Sequence, residues 1–168
     1  MTVFRLLSRQ DTERLGAALG RLLRPGDTLA LAGALGAGKT TLAQAIARGM
    51  GITDPVTSPT FALIQEHPGP VPLFHFDVYR LQVPEEVLEL GFTEYLERDG
   101  VLLIEWADRI ASLLPPDHLL LLLEIQNVGD PAEDAPRILR ASATGARSRQ
   151  LLELLTAQWN TEPAGGPA

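Results

Sequence analysis

Short apolar runs alternate along the chain with segments in which apolar residues recur at every third or fourth position. The short runs are bounded by turn residues, which is typical of buried strands. They cover residues 3–7, 28–32, 62–66, 73–78, 101–104, 119–125 and 137–142. The longer spacing is typical of amphipathic helices. Helices are expected between Ser8 and Pro25 and at residues 40–50, 84–90, 93–98, 107–114 and around 151–155.

The order of these elements predicts an α/β fold. Strands that alternate with helices in the central part imply a mostly parallel sheet with helices on both faces. Hairpin-like strand pairs near both ends of the chain suggest antiparallel edge strands, so the sheet is expected to be mixed. We expect one domain over residues 1–158. Residues 159–168 are rich in proline, glycine and alanine and are expected to form a disordered tail.

The amino-acid composition excludes several classes of function. The 168 residues suffice for one apolar core, and the absence of cysteine excludes disulfides, zinc-thiolate sites and thiol catalysis. A formal charge of −7 argues against broad adhesion to free nucleic acid. Charges interrupt the N-terminal segment, and no apolar run approaches a membrane-spanning length. The default expectation is a cytoplasmic enzyme without a membrane segment.

Residues 33–40 read GALGAGKT, which matches the phosphate-loop pattern of glycine, four residues, glycine, lysine and threonine. The context also fits, since an apolar strand precedes the loop and a helix follows it. Backbone N–H groups of such a loop surround phosphates at the positive end of the helix. The expected nucleotide-binding residues are Gly33, Gly36, Ala37, Gly38, Lys39, Thr40 and Thr41. The alternative is a glycine-rich turn that ends in Lys-Thr by chance.

The motif predicts a P-loop NTPase-like fold that binds ATP and Mg²⁺. Lys39 is expected to reach the β- and γ-phosphates, and the Thr40 hydroxyl to coordinate Mg²⁺. Thr41 is expected to serve the α-phosphate.

Two carboxylates follow apolar strands and are candidates for metal or water chemistry. Glu105 follows residues 101–104 and could coordinate the metal, orient an attacking water or be a solvated strand end. Asp77 could position water, hold a ligand of magnesium or only pair with Arg80. His75 is expected to pack rather than take part in chemistry.

Two further features have two interpretations each. Ser58, Pro59 and Thr60 lie in the loop after the predicted P-loop helix, where they could form a nucleotide-sensing switch or a rigid connection. Trp106, next to Glu105, could cover the site or only fill the core.

Together these motifs resemble the TsaE family, the bacterial ATPase of tRNA threonylcarbamoyladenosine biosynthesis, over roughly residues 5–125. The resemblance rests on LG at 15–16, GD at 26–27, LGAGKTT at 35–41, SPTF at 58–61, HFDVYR at 75–80 and EWADR at 105–109. It implies an ATPase that acts with the partner proteins TsaD and TsaB and meets tRNA through that assembly. It also implies that Lys39, Thr40 and Glu105 handle phosphate and Mg²⁺, that Asp77 is needed for activity and that residues 58–61 act as a switch.

Three functions remain open from the sequence. The leading hypothesis is an accessory ATPase that is slow alone, because the chain shows no assignable arginine finger. The second is a small-molecule kinase of P-loop fold that uses Asp77 as a base. The third is a nucleotide-binding regulator without significant hydrolysis. A GTPase is disfavoured because the sequence has no Asn-Lys-x-Asp segment.

Overall fold

A seven-stranded mixed sheet forms the centre of the protein in the computed structural model, which describes residues 1–57, 63–126 and 135–161. The strands are β1 (Thr2–Leu6), β2 (Thr28–Gly33), β3 (Ile64–His67), β4 (Leu73–Asp77), β5 (Val101–Glu105), β6 (Leu119–Ile125) and β7 (Arg137–Ala143). The helices are α1 (Arg9–Leu22), α2 (Lys39–Gly49), α3 (Glu86–Glu89), α4 (Phe92–Glu97), α5 (Ala146–Thr161) and the 3₁₀ helix Ala107–Leu113.

The strand order is β1-β7-β6-β2-β5-β4-β3. Strand β2 pairs in parallel with β5 and with β6, and β5 pairs in parallel with β4. The pairs β1–β7, β6–β7 and β3–β4 are antiparallel. The predicted fold class is therefore confirmed, and the carboxyl ends of β2, β4, β5 and β6 meet at one edge of the sheet.

Helices cover both faces of the sheet. One apolar cluster joins the sheet to α1, α2 and α5, and the other joins it to α3, α4 and the 3₁₀ helix. Side chains of β2 alternate between the clusters, with Leu29 and Leu31 in the first and Ala30 in the second. The continuous apolar runs in the sequence are explained by this burial on both faces.

Some element boundaries differ from those expected. Helix α3 begins at Glu86 rather than at Pro84. Helix α5 extends to Thr161, so residues 159–161, which the sequence assigns to the tail, are helical. No helix within the described ranges is both long and apolar enough to span a bilayer.

Helices α1 and α2 pack closely where both carry glycine. A Cβ atom on Gly20 would lie 2.1 Å from the carbonyl oxygen of Ile46, and one on Gly49 would lie 2.3 Å from that of Ala17. These contacts involve backbone atoms of the facing helix, which can shift only if the helix shifts with them. They fix α2, whose N-terminus lies at the glycine loop, against the rest of the core.

Replacing Gly20 with alanine is expected to destabilise the protein by about 1–3 kcal/mol, because the added methyl forces the two helices apart. Chemical denaturation measures the loss. The Arg21→Ala variant is the control, since Arg21 is exposed on the same helix and surface substitutions change stability by about 0.5 kcal/mol or less. Equal stability of the Gly20→Ala variant and the unaltered chain would contradict the close packing.

Candidate functional site

The loop between β2 and α2 has a backbone shape that requires glycine. Gly33 has φ +139°, and a Cβ atom there would lie 2.4 Å from the carbonyl oxygen of Leu123. Gly38, the residue before the first turn of α2, has φ +106°, in the region that L side chains rarely adopt. No side chain caps this helix terminus within the described part of the chain. Its first N–H groups are therefore available to an anion.

Lys39 points back into this loop. Its ammonium donates to the carbonyl oxygens of Gly33 at 2.7 Å and Ala34 at 2.9 Å, and it lies 3.6 Å from the centre of the Trp106 ring. Burial lowers the pKa of the Lys39 ammonium, and nearby carboxylates oppose that effect: Glu105, Asp108 and Asp77. The site thus holds a desolvated cation, which an anionic ligand would stabilise.

Glu105 lies at the carboxyl end of β5 and is only 2% exposed. The Thr40 hydroxyl, from the first turn of α2, donates to Oε2 of Glu105 at 3.1 Å. On the other side, Nε2 of His75 lies 2.9 Å from Oε1 of Glu105. The sequence predicts one site for Lys39, Thr40 and Glu105, and the structure places the three side chains close together. The solvated strand end that was an alternative for Glu105 does not occur.

His75 was expected to pack rather than take part in chemistry; it does lie in the core, but its polar contact was not foreseen. It is fully buried and contacts Glu105 directly. The signal in the sequence was its spacing from Asp77, because residues two apart on a strand share a face. Reading that signal correctly also requires knowing that β4 lies beside β5.

Asp77 ends β4 and pairs in register with Glu105 across the two parallel strands. It is 6% exposed, and its Oδ1 accepts a hydrogen bond from the backbone N–H of Tyr79 at 3.0 Å. The structure therefore brings the second predicted carboxylate to the same edge as the first.

Trp106 lies at the site and has a strained backbone. Its φ is +61°, which is unusual for a residue with a large side chain. Its ring contacts the Lys39 ammonium on one hand and the Tyr79 ring, at 4.7 Å between centroids, on the other. Trp106 thus covers the lysine in addition to packing against the second core cluster.

Arg137 is a residue at the loop that the sequence analysis missed. It begins β7, and its Nε donates to the carbonyl oxygen of Ala37 at 2.8 Å. Because C=O and N–H point in opposite directions across a trans peptide, this bond turns the N–H of Gly38 away from Arg137. A separation of 100 residues along the chain left no local signal for this contact.

The remaining predicted residues lie partly within and partly outside the described ranges. Gly36, with φ +78°, and Thr41 belong to the loop and to the first turn of α2, as expected. Ser58, Pro59 and Thr60 lie outside the described residues, so the switch stays a prediction. Within the described ranges, no three His, Asp or Glu side chains converge to hold a metal by themselves.

Comparisons with known proteins point to one family. The family model described as "Threonylcarbamoyl adenosine biosynthesis protein TsaE" matches residues 6–133. Proteins named "tRNA threonylcarbamoyladenosine biosynthesis protein TsaE" are similar over most of the chain. The one from Bacillus subtilis is 38% identical over 91% of this chain and 92% of its own length. The one from Treponema pallidum is 43% identical over 70% of this chain and 87% of its own.

A solved structure gives the same result. The crystal structure of YdiB from Bacillus subtilis superposes with a TM-score of 0.77 at 33% identity, and the match covers 95% of this chain and 96% of that one. The TsaE protein of a Nostoc species is 45% identical over 77% of this chain and 82% of its own length. The family model spans the glycine loop, Asp77 and Glu105, and this chain belongs to the TsaE family.

Proposed function

We propose that this chain binds and hydrolyses Mg-ATP and that it thereby serves the threonylcarbamoyladenosine modification of tRNA. It would act in the cytoplasm as an accessory ATPase, with partner proteins resembling TsaD and TsaB, and would meet tRNA through their assembly. The observation that carries the proposal is the cluster of Lys39, Thr40 and Glu105 around the N-terminus of α2. Family membership favours this role over a small-molecule kinase.

The loop suits a triphosphate for electrostatic reasons. It combines the positive end of α2 with the buried side chain of Lys39, whose pKa is lowered by desolvation. The carbonyl oxygens of Gly33 and Ala34 now accept hydrogen bonds from Lys39, which has three donor hydrogens. A phosphate oxygen beside the ammonium would offset the cost of its burial.

The residues present also fit Mg²⁺. Thr40 and Glu105 offer hard oxygen atoms side by side, and Mg²⁺ commonly binds one or two protein oxygens together with waters and substrate phosphates. Thr40 and Glu105 would hold the ion, directly or through water. When bound, it neutralises negative charge on the phosphates.

Hydrolysis requires a water held in line with the terminal phosphate. Glu105 and Asp77 end adjacent parallel strands in register, so either carboxylate could orient that water. Two arginines near the site already donate to backbone carbonyls: Arg137 to Ala37, and Arg109 to Leu81 at 3.1 Å. Slow turnover alone, completed by a partner, is therefore part of the proposal.

Replacement in a living bacterium tests the function. A strain depleted of its own TsaE protein should regain threonylcarbamoyladenosine in its tRNA, measured by mass spectrometry of nucleosides, when it produces this chain. The Lys39→Ala variant should not restore the modification. If the Lys39→Ala variant restores the modification as well as the unaltered chain does, a role for nucleotide binding is contradicted. If the unaltered chain does not restore it either, the proposed function in tRNA modification is contradicted.

Replacing Arg137 with methionine is expected to weaken binding of Mg-ATP about 10-fold, since a charge-assisted hydrogen bond to the loop worth about 1.5 kcal/mol is lost. Calorimetric titration measures the affinity. Arg140→Met is the matched control, because it removes the same charge from the same strand. The side chain of Arg140 pairs with Glu124 at 2.6 Å rather than with the loop. Equal affinities of the two variants would contradict the role assigned to Arg137.

A further inference from the structure

Both residues of the hydrogen bond between His75 and Glu105 are buried. His75 is 0% exposed and Glu105 2% exposed, so water does not compete for either group. The two residues reach each other because β4 and β5 are parallel neighbours. His75 pairs in register with Leu103, and Glu105 lies two residues further along on the same face.

The chemistry of the pair sets the direction of this hydrogen bond. A carboxylate can only accept, so Nε2 of His75 carries the hydrogen and donates it to Oε1 of Glu105. Nδ1 is the other polar atom of the ring. Within the described part of the chain, Nδ1 is buried and has no hydrogen-bond partner. Glu105 is thus the group that fixes the ring's tautomer.

Packing alone is a poor explanation for a histidine at this position. A buried polar atom without a partner costs free energy, and an apolar side chain would fill the same strand position without that cost. Leu73, the preceding position on the same face of β4, is apolar and lies in the first core cluster. The contact that distinguishes histidine from an apolar side chain at this position is the one between its Nε2 and Glu105.

We propose that His75 is a positioning residue for Glu105. Its Nε2–H holds Oε1, so that Oε2 stays directed at the Thr40 hydroxyl and at the place where Mg²⁺ and the attacking water are expected. The terminal torsion of a glutamate is otherwise soft. This inference rests on the proposed ATPase function. Hydrogen bonds that orient the groups around a metal commonly change affinity or activity about 10- to 100-fold when lost.

Two substitutions separate this role from simple packing. The side-chain amide of His75→Gln can place an N–H near the position of Nε2, whereas the shorter amide of His75→Asn reaches only the position of Nδ1. His75→Asn is therefore expected to lower kcat for Mg-ATP hydrolysis about 10- to 100-fold with KM changed less than about 3-fold. His75→Gln is expected to retain most of kcat.

His67→Asn is the matched control. His67 is also a buried histidine, 6% exposed, on the adjacent strand β3, and its ring centroid lies 6.3 Å from that of His75. Its loss should leave kcat unchanged. Equal kcat for the asparagine and glutamine variants of His75, or equal losses for His67→Asn and His75→Asn, would overturn the proposal.

Nitrogen NMR of the unaltered full chain gives a readout that does not depend on activity or on the folding of any variant. The chain has three histidines, so the signals of His75 can be assigned. A hydrogen on Nε2 is expected, and a ring with hydrogen only on Nδ1 would overturn the proposal. If the unaltered chain neither binds nor hydrolyses Mg-ATP, the proposed function fails, and the tautomer still decides the orientation of the pair.

Discussion

Replacing Lys39 with methionine is expected to weaken binding of Mg-ATP about 10- to 100-fold, which corresponds to about 1.5–3 kcal/mol for a hydrogen bond to a charged group. Methionine keeps the apolar stem and removes the ammonium. In the free protein this ammonium contacts two loop carbonyls and the Trp106 ring, and burial lowers its pKa. The cost of its burial is explained if a polyanion binds beside it.

Arg48→Met is the control for this substitution. Arg48 is exposed in the last turn of the same helix, so the variant removes one positive charge far from the loop. Its affinity for Mg-ATP should match that of the unaltered chain. Equal affinities of the Lys39→Met and Arg48→Met variants would mean that long-range charge, and not contact, attracts the nucleotide.

Replacing Glu105 with glutamine is expected to reduce ATP hydrolysis about 10²- to 10⁴-fold, the usual contribution of a group that activates or orients the nucleophile. A glutamine oxygen can still accept the hydrogen bond from His75, so the substitution removes charge while keeping the packing. Affinity for ATP should fall much less than turnover. Phosphate release and calorimetric titration on the same preparation measure the two effects.

Glu97→Gln is the control for this loss of charge. Glu97 is exposed at the end of α4, just before β5 begins, whereas Glu105 lies where that strand ends. Unchanged turnover is expected for the control. If Glu105→Gln also restores tRNA modification in cells as well as the unaltered chain does, the protein acts as a nucleotide-binding regulator and hydrolysis is not its task.

Local patterns were sufficient to predict the glycine loop and the carboxylates. Residues 33–40 require no tertiary information, because the chemistry lies in consecutive residues between a strand and a helix. Glu105 and Asp77 could be predicted because each follows an apolar strand in a parallel sheet. Their register with each other depends on β4 lying next to β5, which the sequence does not specify.

Contacts between distant segments could not be predicted in the same way. His75 looks like a core residue until β5 is placed beside it, and Arg137 reaches the loop only because β7 returns to the sheet near its start. The backbone of Trp106 has φ +61°, which no residue preference indicates for tryptophan. Each of these depends on tertiary packing that overrides local preference.

Calorimetric titration of the purified full chain with ATP in the presence of Mg²⁺ tests whether the glycine loop binds a nucleotide. Saturable binding of one ATP per chain is expected, weakened when Mg²⁺ is removed and weakened further by Lys39→Met. Absence of measurable binding to any nucleoside triphosphate with Mg²⁺ present would contradict it.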